Sequence, residues 1–246
     1  MNLLVDVGNR RIKWALAAPG KWQVNDGVPY GDGMSAILDK IWRDLPVPDR
    51  VVISSVAGQE PARQLEQWIA HHWSSRIHIA QAQAELLGVQ NYYTNPVSLG
   101  SDRWAALIAA RAMTQDPVCV VDCGTALTLD ALSVRGEFLG GVILPGVATM
   151  RASLLTHTQG VRETLGNAAD CFARSTADGV AAGTLFGSVG AIERVIEEYR
   201  RQLGKAMQVI ITGGDAAELV PHLRFSAVLA PDLVLKGLAL IAEQLP

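Results

Sequence analysis

Two hydrophobic periods alternate along this chain. Leu3-Leu4-Val5 with Val7 is a short continuous apolar run, the pattern of a strand buried on both faces. In Arg11–Ala17, Ile12, Trp14 and Leu16 alternate with Lys13 and Ala15, which predicts a second strand folded back as a hairpin. Helical spacing predicts a helix over Met34–Leu45, followed by a strand at Arg50–Val56. A helix entered near a proline is then expected at Pro61–Trp73, a strand at Arg76–Ala80 and a helix at Asp102–Met113. At Gln115-Asp116-Pro117 the proline disfavours helix at the residue before it and marks a seam. Beyond it, strands are predicted at Val118–Asp122, Leu127–Ser133, Gly140–Leu144 and Val209–Thr212. Helices are predicted at Val147–Leu155, at Thr176–Leu203 with a break near Gly187–Gly190, and at Leu233–Leu245. Strands interleaved with helices in both halves indicate an α/β fold.

The two halves echo each other. Leu3-Leu4-Val5-Asp6-Val7-Gly8 matches Cys119-Val120-Val121-Asp122-Cys123-Gly124, an offset of 116 residues, and the same offset aligns Ala15-Leu16 with Ala131-Leu132. The expectation is two copies of one lobe, residues 1–115 and 116–246, whose Asp-x-Gly turns face each other across a cleft.

Composition narrows the classes of function. The chain has 246 residues, with 49% apolar and 18% charged, a globular rather than a disordered composition. With 21 Lys+Arg against 24 Asp+Glu the net charge is −3, so no general attraction to nucleic acid or anionic membrane is expected and any phosphate site must be local. Cys119, Cys123 and Cys171 have neither the paired spacing of a zinc site nor the even number of a disulfide framework, and fit a reducing compartment. The N-terminus lacks the basic region of a signal peptide, and apolar runs such as Val118–Val121 fall far short of the ~18 residues of a membrane helix. A cytoplasmic protein without nucleic-acid or membrane partners is expected. The five histidines show no ligand spacing.

Four segments are candidates for chemistry. Asp6-Val7-Gly8-Asn9-Arg10-Arg11-Ile12-Lys13 places a glycine turn before a lysine. Successive amides in such a turn form an anion-binding concavity, although an ordinary hairpin turn has the same appearance. Asp122-Cys123-Gly124-Thr125 ends a buried strand with a carboxylate suited to a cation and a hydroxyl suited to phosphate; a turn with a backbone-satisfied carboxylate is the alternative. Gly100-Ser101-Asp102-Arg103 opens a helix. Ser101 or Asp102 reads as the N-cap, and Asp102, held ionised by the helix dipole, reads either as that cap or as a weak general base for phosphoryl transfer. Val209–Thr212 running into Gly213-Gly214-Asp215 lets a flat ligand approach the backbone, as any generic strand–turn–helix does.

Taken in order, five blocks resemble those of the type III pantothenate kinases. They are Asp6-x-Gly-Asn-x-x-x-Lys13, Asn91-x-Tyr93-x-x-Pro96-x-x-Leu-Gly-x-Asp102-Arg103, Asp122-x-Gly-Thr-Ala-x-Thr128-x-Asp130, Gly140-Gly-x-Ile-x-Pro-Gly146, and the Gly-Gly-Asp215 turn. The resemblance implies a fold of two actin-like, ribonuclease H-like lobes and phosphorylation of pantothenate by ATP in coenzyme A synthesis. It further implies that Asp6, Val7, Gly8, Asn9, Arg10, Arg11, Ile12, Lys13 and Thr125 bind ATP, with magnesium. Asp122 holds potassium or ammonium, and Tyr93, Gly100, Ser101, Asp102, Arg103 and Thr176 contact pantothenate, with Asp102 as base, in a homodimer. Arg10 departs from the Thr or Ser usual there, which bears on ATP affinity. Rival expectations are a non-catalytic nucleotide-binding regulator, or another kinase or phosphatase of the same superfamily.

Overall fold

A computed structural model of the chain describes every residue except 19–20, 32, 163–165 and 168–169, with the backbone alone at 25–26. In order, the elements are β1 (Asn2–Val7), β2 (Arg11–Ala18), β3 (Lys21–Pro29), α1 (Met34–Trp42), β4 (Arg50–Ser55), α2 (Gln59–His72), β5 (Arg76–Ile79), β6 (Glu85–Leu86), β7 (Val89–Asn91) and α3 (Ser101–Met113). They continue with β8 (Val118–Cys123), β9 (Ala126–Leu132), β10 (Glu137–Pro145), α4 (Val147–His157), α5 (Thr176–Leu203), β11 (Gln208–Thr212), α6 (Ala216–Leu219), β12 (Val228–Leu229) and α7 (Leu233–Glu243). Two compact units result, Met1–Met113 with Asp232–Pro246, and Thr114–Pro231.

In the first unit the strands lie in the order β3-β2-β1-β4-β5. Strands β1, β4 and β5 run parallel and β2 is antiparallel to both its neighbours. Alternation sorts the side chains between the faces. Leu3, Val5, Val7, Ile12, Trp14 and Leu16 join Met34, Leu38 and Trp42 of α1 and Leu65, Trp68 and Ile69 of α2 in one core. Trp42 is fully buried, with Trp73 stacked at 5.6 Å and Trp68 edge-on at 5.7 Å, so much of the tryptophan of the first half serves packing. On the opposite face, α3 and α7 pack on each other and on β1 and β4. They approach so closely that a Cβ on Gly237 would lie 1.9 Å from the Ala105 carbonyl oxygen. This corrects the expected division at 115/116: the closing helix, although last in the second half, is packed into the first unit.

The second unit repeats the plan. Its strands lie in the order β12-β11-β8-β9-β10, with β8, β11 and β12 parallel and β9 antiparallel to both β8 and β10. Two α/β lobes of like topology are therefore present, and β1 corresponds to β8 as the echo predicts. The echo slips by one residue at the second strand: Leu3 pairs with Leu16, whereas Cys119 pairs with Ala131. The second hairpin loop is one residue shorter, so Leu16 corresponds to Ala131 and Lys13 to Thr128.

Helix α5 runs unbroken through Gly187 and Gly190, which lie on its exposed side and interrupt no packing. Its start is capped by Ser175, whose hydroxyl accepts from Asp178 N–H at 3.1 Å and donates to the Asp178 carboxylate at 2.7 Å. By length and composition α5 is apolar enough to cross a membrane. Half of that stretch is buried, and it supplies Leu185, Val189, Ile192 and Ile196 to the core of the second unit. The pattern at Lys21–Pro29 predicts no element, yet β3 lies there. It is an edge strand whose Trp22 and Val24 are exposed, so no buried face imposes an alternation.

Candidate functional site

In the first unit the candidate residues converge at the carboxyl ends of β1 and β4, the edge where parallel α/β sheets bind ligands. Asp6 lies between Lys13 on β2 and Ser54 on β4, so a carboxylate and an ammonium sit side by side at the end of β1. The chain then turns through Gly8-Asn9-Arg10, closed by Gly8 N–H donating to Arg11 C=O at 3.0 Å; Asn9 and Arg10 are exposed. The start of α3 is attached to the same edge. The Ser101 hydroxyl lies 3.0 Å from that of Ser54 and accepts from Ser55 N–H at 3.2 Å, and Val56 N–H donates to Val7 C=O at 3.1 Å.

Gly100, not Ser101 or Asp102, caps α3: its carbonyl accepts the first helical bond, from Trp104 N–H at 2.9 Å. Ser101 is engaged by β4, and the Asp102 carboxylate folds over the first turn to accept from Arg103 N–H at 2.7 Å. Burial raises the Asp102 carboxyl above the usual carboxylate value, while the Arg103 amide and guanidinium act in the opposite direction. Desolvation outweighs the two favourable contributions of Arg103 at this carboxyl. The Arg103 guanidinium donates to the Tyr93 hydroxyl at 3.1 Å and lies 5.7 Å from its ring centre. Tyr93 is held by Asn91, whose amide oxygen accepts from Tyr93 N–H at 3.1 Å while its NH2 donates to Pro96 C=O at 3.0 Å. Asp102, Arg103 and Tyr93 thus form one cluster.

An ideal Cβ on Gly100 would sit 2.6 Å from Asp102 Oδ1 and touch nothing else closer than 3.6 Å. The glycine leaves room for that carboxylate rather than for the fold. Gly100→Ala is expected to lower kcat by about tenfold or more by displacing Asp102, while moving the melting temperature by no more than about 4 °C. Steady-state rates and a thermal melt on the same preparation check both halves.

The second unit places Asp122, Thr125 and Thr176. Asp122 ends β8 between Thr128 on β9 and Thr212 on β11. The Thr128 hydroxyl, on the face it shares with Asp122, is buried without a hydrogen-bond partner among the described residues, and Asp215 N–H donates to Cys123 C=O at 2.9 Å. Burial, and then the charges of Asp122 and Asp215, push the Cys123 thiol up to about 12, so it stays protonated and unreactive. The neighbourhood of Asp122 is thus rich in oxygen, the chemistry of a hard cation. Thr125 occupies the place of Asn9-Arg10 in the shorter hairpin. Its carbonyl accepts from Gly146 N–H at 3.0 Å and from the Thr149 hydroxyl at 2.7 Å. Thr176 begins α5 on a groove of about 750 Å³ that also includes Pro145, Thr149, Met150 and Leu154.

Two features were not visible in the motifs. Tyr30 and Gly27, at the end of β3, reach the Gly8 turn and Lys13. Thr149 joins the Thr125 turn to the Thr176 groove, and the Pro145-Gly146 entry to α4 was its only signal in the sequence.

The family model described as Type III pantothenate kinase matches residues 2–198. A type III pantothenate kinase of Nitrosococcus oceani is 40% identical over 250 residues, with 99% of this chain and 94% of that protein covered. One of Nitrosospira multiformis is 40% identical over 242 residues, with 98% and 91% covered. Among solved structures, a Sinorhizobium meliloti protein provisionally assigned as a 2-dehydro-3-deoxygalactonokinase superposes with a TM-score of 0.61 at 15% identity. It covers 99% of this chain and 98% of its own, a likeness of fold.

Proposed function

This chain belongs to the type III pantothenate kinase family, and from that premise we propose that it transfers the γ-phosphoryl group of ATP to the primary hydroxyl of pantothenate, giving 4′-phosphopantothenate for coenzyme A synthesis. The observation that carries the proposal is the desolvated Asp102 carboxylate, held in one cluster with Arg103 and Tyr93 at the strand edge where the Asp6–Lys13 turn opens.

Asp102 accepts the hydroxyl proton as the hydroxyl oxygen bonds to the γ-phosphorus and the bond to ADP breaks. A carboxyl pKa raised by burial makes it a better acceptor than an exposed aspartate. Amides of the Gly8 turn, Lys13 and Thr125 hold the ATP phosphates. Arg103 orients the pantothenate carboxylate, aided by Tyr93, the Gly100–Ser101 backbone and Thr176. Magnesium accompanies ATP and neutralises phosphate charge.

Asp122 holds a monovalent cation, potassium or ammonium; the unpartnered Thr128 hydroxyl beside it supports an oxygen site there. The enzyme is cytoplasmic and homodimeric in this reading. An exposed stripe on α5, Gly179, Gly183, Phe186, Gly187 and Gly190, beside the exposed Leu154 and Leu155 of α4, supports a face that a second copy covers.

ADP release coupled to a reporter enzyme, with pantothenate or a panel of sugars as acceptor, tests the reading. Turnover with pantothenate alone is expected; turnover with a sugar instead would overturn it. Potassium is expected to raise the rate, and Asp122→Ala to remove that increase. A wild-type rate indifferent to potassium and ammonium would refute the role of Asp122.

A further inference from the structure

The segment that ends β3 lies against the phosphate turn. The Tyr30 hydroxyl donates to Gly8 C=O at 2.7 Å, and the Arg11 guanidinium donates to Gly27 C=O at 2.6 Å. Gly27 sits at a bulge with φ +87°, where a Cβ would lie 2.7 Å from Lys13 Cγ, so the Lys13 stem crosses the space that the glycine leaves open. Tyr30 itself is buried, and burial raises its phenol above the usual value, so the group remains a protonated donor.

A trans peptide points its C=O and the following N–H in opposite directions. The chain has no cis bond among the described residues. The Gly8 carbonyl is held by the Tyr30 hydroxyl, so the Asn9 N–H of the same peptide points away from that hydroxyl, in a turn where Asn9 and Arg10 are exposed.

Resting on the reading of this turn as the ATP-phosphate site, we propose that Tyr30 is a positioning residue that fixes the Gly8–Asn9 peptide so that the Asn9 N–H is presented to a phosphate oxygen of the nucleotide. Without the phenol hydroxyl the peptide is free to rotate about its flanking bonds, and the amide is aimed only part of the time. The effect is on nucleotide binding and leaves the acceptor's own contacts, at Arg103 and Tyr93, in place.

Tyr30→Phe removes the hydroxyl and keeps the ring in the core. Its KM for ATP is expected to rise about 3- to 10-fold, the size of one hydrogen bond. That rise should exceed any fall in kcat, and KM for pantothenate should stay within about twofold. The stabilisation of the melt by magnesium and a non-hydrolysable ATP analogue should shrink in parallel, a measurement that needs no turnover. Lys13→Ala separates this inference from the reading beneath it. If Lys13→Ala raises KM for ATP and Tyr30→Phe does not, Tyr30 has no positioning role. If Tyr30→Phe raises both KM values equally, its role is general support of the fold and the inference is wrong. If neither variant affects ATP, the turn is not the phosphate site.

Discussion

Asp102→Asn is expected to lower kcat by about 10²- to 10⁴-fold while raising the melting temperature at neutral pH. The two effects share a cause. Burial holds the folded-state pKa of Asp102 above its ordinary value, so the folded protein binds that proton more tightly than the unfolded chain does. Above the raised pKa the ionised carboxylate costs stability, because its desolvation is not fully offset by Arg103. Asparagine keeps the shape and removes the charge. The gain is present at neutral pH, fades as the pH falls through the raised folded-state value, and is gone below the unfolded value of about 4, where both states carry the proton. The rate follows the opposite form of the group. Only the carboxylate accepts a proton, so the acid limb of the wild-type profile for kcat/KM is expected above the ordinary aspartate range, and Asp102→Asn should abolish that limb along with the rate. Melts and rate profiles at several pH values test both. A variant with near-wild-type kcat, or one that melts lower at neutral pH, would contradict this role and its electrostatic origin.

Gly146→Ala is expected to destabilise the second unit by about 3 kcal/mol or more, an effect of the size caused by overpacking a close backbone approach. A Cβ at this position would lie 2.0 Å from the Gly124 carbonyl oxygen and 3.0 Å from that of Thr125. Both are backbone atoms, so no side-chain rotation relieves the overlap. The Gly146 N–H bond to Thr125 and the Thr149 hydroxyl bond to the same carbonyl would be strained together. A fall in melting temperature of about 6–12 °C, with weakened ATP binding, is the expected reading. An unchanged melt would show that the β10–α4 corner can open at little cost, and that Thr125 is not fixed from below.

Much of this was legible before the fold was known. Leu3–Gly8 and Cys119–Gly124 do stand at equivalent strands, because a buried strand ending in Asp-x-Gly leaves a local signature in both pattern and residue type. The slip at β9 was not legible, because Ala-Leu is too common a pair to mark a loop shortened by one residue. Strand β3 was hidden for the same physical reason that lets it reach the turn. It is an exposed edge with no core to impose a period, and Gly27 and Tyr30 act through a backbone bulge and one hydroxyl. At α3 the sequence placed Asp102 in the first turn correctly, but capping rules concern local bonds only. They do not report the burial that raises its carboxyl, and Ser101, which looks like a cap, is held by Ser54 and Ser55. The closing helix shows the same limit at larger scale: its apolar pattern announces burial but not which unit it is buried in.

Phosphoryl transfer to pantothenate is tested by incubating the purified chain with ATP, magnesium, potassium and pantothenate and following the products by phosphorus NMR. One phosphate monoester on the primary hydroxyl of pantothenate is expected for each ADP released, with the signal lost in Asp102→Asn. ADP appearing with free phosphate and no monoester, or nucleotide bound without turnover, would contradict it.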